Sequence, residues 1–341
     1  MMPVFDGHND TLLRLYQHPE RAFDARMEVG HVDAVRAREG GMAGGMFAMF
    51  TPNPDGPMAA PGVRRDDVPP FGPIDPDHAL RTTLGMFATL GRLAAAGSLR
   101  ACRDADQVER AMADGVLAAV PHLEGAEAVL DLDVLEVLHA LGLRSLGLVW
   151  ARPNAYGTGV PFAFPGSPDV GPGLTAEGRA LVGACDRLAV VLDVSHLNEA
   201  GFWDVLRYSE RPVVASHSNA HALCRSPRNL TDAQLDALAE RDGLVGVNFA
   251  CGFLREDGRS EPDTPLDTII RHLEHVRDRV GEDRVAFGSD FDGTTVPSAL
   301  GDAAGLPRLV EALRDHGWDD ASLEKVTHRN WLAAWRRVQG G

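Results

Sequence analysis

An α/β chain closed into a (β/α)8 barrel of the TIM type, with rim-loop insertions and extra C-terminal helices, is what this sequence predicts. Three observations predict it. Eight short apolar runs alternate with longer amphipathic stretches along the 341 residues, the signature of parallel βα units. No linker or internal repeat divides the chain, so residues 1–341 read as one domain, within the size range of such barrels. Residues of metal-ligand type follow the ends of the apolar runs, which is where a barrel carries its chemistry. A doubly wound open sheet fits the alternation but not that last arrangement.

The strand candidates are residues 3–5, 45–50, 116–121, 145–149, 189–194, 213–216, 244–248 and 285–288. Between them, Leu132–Leu141 has helical spacing, with Leu132, Leu135, Val137, Leu138 and Leu141 on a broad apolar face. Leu266–Val280 does likewise through Ile269, Ile270, Leu273 and Val276. Thr231 and Thr264 stand where helices should begin. Residues 51–77 and 151–173 are rich in Pro and Gly and read as long rim loops, which in compact domains usually serve as functional walls or lids. Residues 306–338 read as helices packed on the outside of the barrel.

Composition excludes several function classes. The formal net charge is -16, from 33 Lys and Arg against 49 Asp and Glu. Nucleic acid and anionic membrane surfaces require basic patches, so neither is an expected partner. No apolar run is long enough to span a bilayer, and the N-terminus lacks the basic and apolar regions of a secretory signal. Cys102, Cys185, Cys224 and Cys251 are scattered without a CxxC, which predicts free thiols and a cytoplasmic location.

The strand ends carry the chemistry. The first is followed by Asp6-Gly7-His8-Asn9-Asp10 and the third by His122-Leu123-Glu124-Gly125. The fifth ends in Asp193-Val194-Ser195-His196, the sixth in Ala215-Ser216-His217-Ser218-Asn219, and the eighth in Gly288-Ser289-Asp290-Phe291-Asp292-Gly293. Imidazole and carboxylate groups ligate zinc at about 2.0–2.2 Å. Strand alternation lets His8 and Asp10 address one point. Two metals about 3.5–4 Å apart need a bridging group, and Glu124 is the candidate; the single lysine, Lys325, lies in the terminal helices and cannot serve as a carboxylated bridge. Glu127 and Asp292 are alternatives to Glu124 and Asp290. His122 is either a supporting partner or a plain rim residue. His31-Val32-Asp33 repeats the His-x-Asp pattern in what reads as a solvated helical face. His217 and His221 are four apart, but Ser218 stands where a HExxH motif needs glutamate. His221 therefore reads as a supporting or surface residue.

In this order and spacing, and together with Pro227-Arg228-Asn229-Leu230, these segments resemble the renal (membrane) dipeptidase family of amidohydrolase-like, metal-dependent barrels, over nearly the whole chain. The resemblance implies a binuclear zinc dipeptidase that splits dipeptides, L-Xaa-D-Xaa types such as L-Ala-D-Ala included, by metal-activated hydroxide. It implies two zinc ions per chain. His8, Asp10 and Glu124 would hold one, with Asp290 nearby, and Glu124, His196 and His217 the other. Asp290 would accept and return the proton, and Arg228 would grip the substrate carboxylate. Barrels of this type often form homodimers, so a second copy is a candidate partner beside the small-molecule substrate. One departure stands out: Trp150 occupies the position after the fourth strand where the family usually has a substrate-contacting histidine. Tryptophan has one N–H donor and cannot become cationic. Oxyanion stabilisation would then fall to the metal or to Arg152, Asn154 or Tyr156, and the expected consequence is retuning to another substrate. The alternatives are a deaminase- or lactonase-like reaction, for which His196-Leu197-Asn198-Glu199 has a deaminase-like His-x-x-Glu spacing, and a catalytically weakened metal-binding barrel.

Overall fold

The computed structural model describes residues 1–53 and 71–340. Nine strands form one parallel sheet: β1 (Val4–Asn9), β2 (Met42–Phe50), β3 (Arg100–Ala101), β4 (Ala118–Glu124), β5 (Ser145–Gly147), β6 (Val191–Asp193), β7 (Val214–Ala215), β8 (Leu244–Val247) and β9 (Val285–Phe287). Eight of them run in the order β1-β2-β4-β5-β6-β7-β8-β9, and β3 pairs beside β4. The seam between first and last is drawn together by an Asn9–Phe291 bridge and by Asp290 N donating to His8 O at 2.9 Å. The result is the nearly closed (β/α)8 barrel that the alternation predicts.

Each candidate strand overlaps an observed one, but β1 runs on to Asn9, with all six of its residues buried. The two-residue β3 was not anticipated. Helices α1 (Thr11–Gln17) and α2 (Ala34–Gly40) follow β1, and α3 (Pro76–Ala96) follows β2. Of the first predicted rim loop, residues 54–70 lie outside the described residues, and Pro76 and Asp77 already belong to α3. Further on come α4 (Ala105–Ala113), α5 (Leu132–Leu141), α6 (Ala176–Leu188), α7 (Glu199–Tyr208), α8 (Asp232–Glu240), α9 (Cys251–Leu254) and α10 (Leu266–Val280).

Short polar side chains start most of these helices by accepting from an otherwise unpaired N–H: Asp104, Asp131, Thr175 and Asn198 do so, and Thr231 forms a reciprocal capping box with Gln234. Thr264 does not cap. Pro265 precedes α10, and the Thr264 hydroxyl donates to Glu261 O at 2.6 Å. The apolar face of α10 is buried as its spacing predicts, whereas on α5 only Leu135 and Leu138 are, and Val137 and Leu141 face solvent.

Strand alternation divides the core. Phe47, Met49, Leu123, Leu146, Leu192 and Val245 pack outward against the helices. Phe5, Met46, Val120, Val191, Val214 and Leu244 form a separate cluster with Trp331. Residues 306–338 are helical, as α11 (Leu306–Asp315), α12 (Asp320–Glu324) and α13 (Asn330–Gln339), but α13 does not simply lie outside. Its Trp331 is fully buried and donates from Nε1 to Phe287 O at 2.9 Å. Gly7 makes room for it, since a Cβ there would stand 2.3 Å from the indole. Trp331 is thus the floor beneath the polar groups described next.

Candidate metal centre and substrate cavity

A bulge aims the first candidate ligand. Asp6 pairs with Gly45 and Asn9 with Phe47, so β1 carries one extra residue at this point, a device that redirects side chains near functional sites. It lets His8 join Asp10, which is already the residue preceding α1. On β4, plain alternation carries Val120, His122 and Glu124 to the interior. His196 and His217 follow β6 and β7 directly.

These side chains converge. His8 Nε2 lies 3.6 Å from Asp10 Oδ2 and 3.6 Å from Glu124 Oε2. The other oxygen, Glu124 Oε1, lies 3.0 Å from His196 Nε2 and 3.4 Å from His217 Nε2. His8, Glu124 and His217 form one group able to hold a metal; His8, Asp10 and Asp290 form another. Both ring nitrogens of His8, Asp10 Oδ1 and His196 Nδ1 are buried without a hydrogen-bond partner. Such orphaned polar atoms are costly unless something binds them. Imidazole and carboxylate groups in this arrangement fit a divalent metal of the zinc type.

Burial sets the charge states. It pushes the His8 imidazole down to about 4, and drives His196 and His217 well below their usual range. All three are neutral at pH 7 and present lone pairs. It pushes Asp10 up to about 7 and Asp290 up to about 6, and raises Glu124 well above the usual carboxylate range, with Asp10 and Asp290 adding repulsion. A cation among these acids relieves both penalties.

The backbone is strained around the candidate ligands. His196, Asp290 and Asp292 have φ of 67°, 60° and 73°, a left-handed conformation that is uncommon for non-glycine residues. Gly293 allows close approach: a Cβ there would fall 2.1 Å from Asp10 Oδ2 and 2.6 Å from Asp290 Oδ1. Sequence reasoning missed Asn248, whose Nδ2 donates to Asp290 Oδ2 at 2.9 Å. Its position at the end of a strand candidate was the available signal. Asp6 ties the seam by accepting from Ser289 N at 2.7 Å and Ser289 Oγ at 2.8 Å.

Above the cluster opens a cavity of about 280 Å³. Phe50, Trp150, Phe162 and Phe253 make its aromatic side, and Asp290 and Thr294 belong to its polar side. The Trp150 ring packs on Phe50 at 4.9 Å, Phe71 at 4.7 Å and Phe162 at 5.4 Å, and reaches to 5.9 Å from His196. Arg228 is buried; it donates to His217 O at 3.0 Å and Ser218 Oγ at 3.2 Å, while its Nε has no partner. Burial lowers its pKa to about 10, so it stays cationic at neutral pH.

Several expected positions fall elsewhere. Arg152 is spent on Glu127 Oε1 at 2.7 Å, Asn53 Oδ1 at 2.6 Å and Thr51 O at 2.7 Å, which pins two rim segments together. That ion pair also removes Glu127 as a ligand. Asn154 donates to Leu148 O at 2.7 Å and accepts from Tyr156 N; the Tyr156 hydroxyl donates to Val129 O. Neither lines the cavity over the cluster; both line a separate one. Asp292 is held by Arg14, Thr11 and His31 N. His31 and Asp33 are not a solvated face: Asp33 is fully buried and caps α2, and His31 Nδ1 accepts from Asp292 N at 2.8 Å. His122 lies inside the barrel, edge-on to His8 and 2.9 Å from Ser145 Oγ. His221 Nε2 sits 2.8 Å from Gly166 O. Glu199 opens α7 and accepts from Trp203 Nε1 at 3.4 Å, so the deaminase-like spacing is the start of a helix.

Neutral imidazoles, crowded acids and a shaped cavity at the C-terminal mouth of a barrel define a metal-dependent hydrolase class. A family model for membrane dipeptidases, peptidase family M19, matches residues 1–340. The chain belongs to that family and is a metallo-dipeptidase, a peptide-bond hydrolase. It is 48% identical to a Rhodobacter sphaeroides metallopeptidase solved with a phosphinate mimic of the dipeptide L-Ala-D-Ala; the match covers 99% of each chain with a TM-score of 0.93. The solved structure of dipeptidase AC, an M19 metallopeptidase, is 46% identical, with 100% of this chain and 99% of that one covered and a TM-score of 0.92. Dipeptidase tcpJ of Claviceps purpurea is 29% identical over 98% of this chain and 76% of its own length. No described helix is long and apolar enough to cross a membrane. All four cysteines are buried.

Proposed function

We propose that the protein, as one barrel domain, is a binuclear zinc dipeptidase whose substrates include L-Xaa-D-Xaa dipeptides such as L-Ala-D-Ala. One observation carries the reading. Glu124 turns one oxygen to His8 and the other to His196 and His217, the disposition of a bridge between two ions. In this assignment His8, Asp10 and Glu124 would hold one zinc beside Asp290, and Glu124, His196 and His217 would hold the other. The ligand of the Rhodobacter enzyme supports the substrate class. Four scattered cysteines without a CxxC fit a cytoplasmic location.

Bound there, the metal pair supplies Lewis acidity and makes water nucleophilic near neutral pH. The chain's own residues do the rest. Arg228, with a free Nε, takes the substrate's terminal carboxylate, a match for its planar guanidinium that favours dipeptides over longer chains. Asp290, oriented by Asn248, accepts the proton of the attacking water and delivers it to the departing amine as the C–N bond breaks. Trp150 contributes an apolar wall where the family's histidine would stand, so substrate side chains meet rings instead of a titratable donor.

A metal-reconstituted screen of L,L and L,D dipeptides, with metal content measured alongside, tests the reading. Turnover of at least one L,D dipeptide by protein holding two zinc ions is expected; turnover of none, at full metal loading, overturns it. Trp150→His should reorder the preferred dipeptides, and an unchanged kcat/KM for all of them removes Trp150 as a determinant.

A further inference from the structure

Beneath the candidate ligands lies a buried hydrogen-bonded chain that substrate and metal would never touch. Asp193, at the end of β6, is 2% exposed and points into the barrel. Its Oδ1 accepts two backbone hydrogen bonds, from Ser195 N at 2.9 Å and Ser216 N at 2.8 Å. Its Oδ2 accepts from Ser216 Oγ at 2.5 Å. The same Ser216 Oγ lies 2.6 Å from His217 Nδ1. Ser195 Oγ is the other polar neighbour of that hydroxyl, at 3.4 Å, too long to compete with the two short contacts.

A serine hydroxyl has one hydrogen. Facing a carboxylate that can only accept, Ser216 gives that hydrogen to Asp193 and must therefore receive one from His217 Nδ1–H. That fixes the neutral tautomer of His217 with its lone pair on Nε2, the atom aimed at Glu124 Oε1 and His196. We infer that Asp193, acting through the Ser216 hydroxyl, is a positioning residue that holds His217 in its metal-ligating tautomer. The inference rests on the reading of His217 as a metal ligand. Orientation of a ligand imidazole by a carboxylate is a general device of metal sites; the arrangement here inserts a serine between the two.

The geometry makes the inference unusually testable, because the conservative substitution is the damaging one. In Asp193→Asn the two backbone N–H groups at Oδ1 demand the amide oxygen. The amide NH2 is then left facing Ser216 Oγ, with His122 Nε2, 3.5 Å from Oδ2, able to take only its second hydrogen. The hydroxyl must accept from it and turn its own hydrogen toward His217 Nδ1. The chain reverses, the proton moves to Nε2, and the ligand lone pair is lost. Ser216→Ala only removes the constraint, leaving His217 free to choose either tautomer.

The experiment measures zinc and cobalt affinity of the purified full-length chain by chelator competition, the visible spectrum of the cobalt-loaded form, and the Tm of the metal-free form. Expected is a loss of metal affinity of about 10–100-fold for Ser216→Ala at the weakened site, a larger loss for Asp193→Asn with an altered cobalt spectrum, and metal-free Tm values that do not follow that order. Equal affinities in all three proteins overturn the inference, as does a smaller loss for Asp193→Asn than for Ser216→Ala. An affinity loss that only tracks metal-free Tm makes Asp193 merely structural and also overturns it. If the parent chain binds no metal, the failure lies with the metal reading itself, so the two are told apart.

Discussion

The two ends of the barrel interior are equally buried and built on opposite principles. At the floor, Trp331 meets Phe5 and the neighbouring strand residues, its single N–H is satisfied by Phe287 O, and Gly7 gives way to its ring. At the mouth, His8, Asp10 and His196 keep polar atoms without partners, and three ligand-region residues hold left-handed backbone. The Trp331 N–H is paired within the floor, whereas the orphaned atoms of His8, Asp10 and His196 gather at one point of the mouth. The floor stabilises the fold that the mouth strains, so substitutions at the two ends should separate stability from activity.

Glu124→Gln should have the largest effect. It removes the charge of the proposed bridge, and a fall in kcat/KM on the order of 10³-fold is expected. The metal-free Tm should hold or rise, because a buried carboxyl is replaced by a neutral group. Activity assays beside thermal melts check it; comparable loss of both would erase the contrast between the ends. Trp331→Ala should do the reverse, costing about 3–5 kcal/mol of folding stability, read by urea denaturation, while the folded fraction keeps its metal stoichiometry. Arg228→Lys keeps the charge but loses the planar fork and the free Nε. An increase in KM of about 10–100-fold with metal content unchanged is expected from steady-state kinetics.

A further effect is one of pH. Asp10 is pushed up to about 7 and Asp290 to about 6 by burial. Both must lose a proton to face a cation, so protons compete with metal below those values. Metal affinity should strengthen as pH rises from 5 to 7, by about tenfold per unit for each proton displaced. Chelator competition across that range checks it, and an affinity that weakens with rising pH would contradict the sign.

Much of this was legible in the sequence, for identifiable reasons. Strand cores such as 244–247 announce themselves as apolar runs, and metal-type side chains follow them in the order that brings His8, Glu124, His196 and His217 together. Polar residues hid the true length of β1: Asp6, His8 and Asn9 look like loop, yet they are buried strand. Strand β3 is too short and too exposed at Ala101 to carry a pattern. The floor was missed because the apolar positions of α13 look like those of any outer helix; only the tertiary structure shows Trp331 inserted under the sheet. Asn154 and Tyr156 were nominated by nearness in sequence to Trp150, and chain proximity does not say which way a loop side chain turns; here both are used by backbone groups. Asp193 and Ser216 were visible as motif letters, but their connection to His217 depends on packing between two strands.

The central claim is that one buried carboxylate joins two cations. Its most direct measurement is zinc bound per chain after equilibrium dialysis, by elemental analysis of the parent protein and of Glu124→Gln. Two ions in the parent and a loss from both positions in the variant are predicted. Two ions retained at unchanged affinity in Glu124→Gln, or fewer than two in the saturated parent, would contradict it.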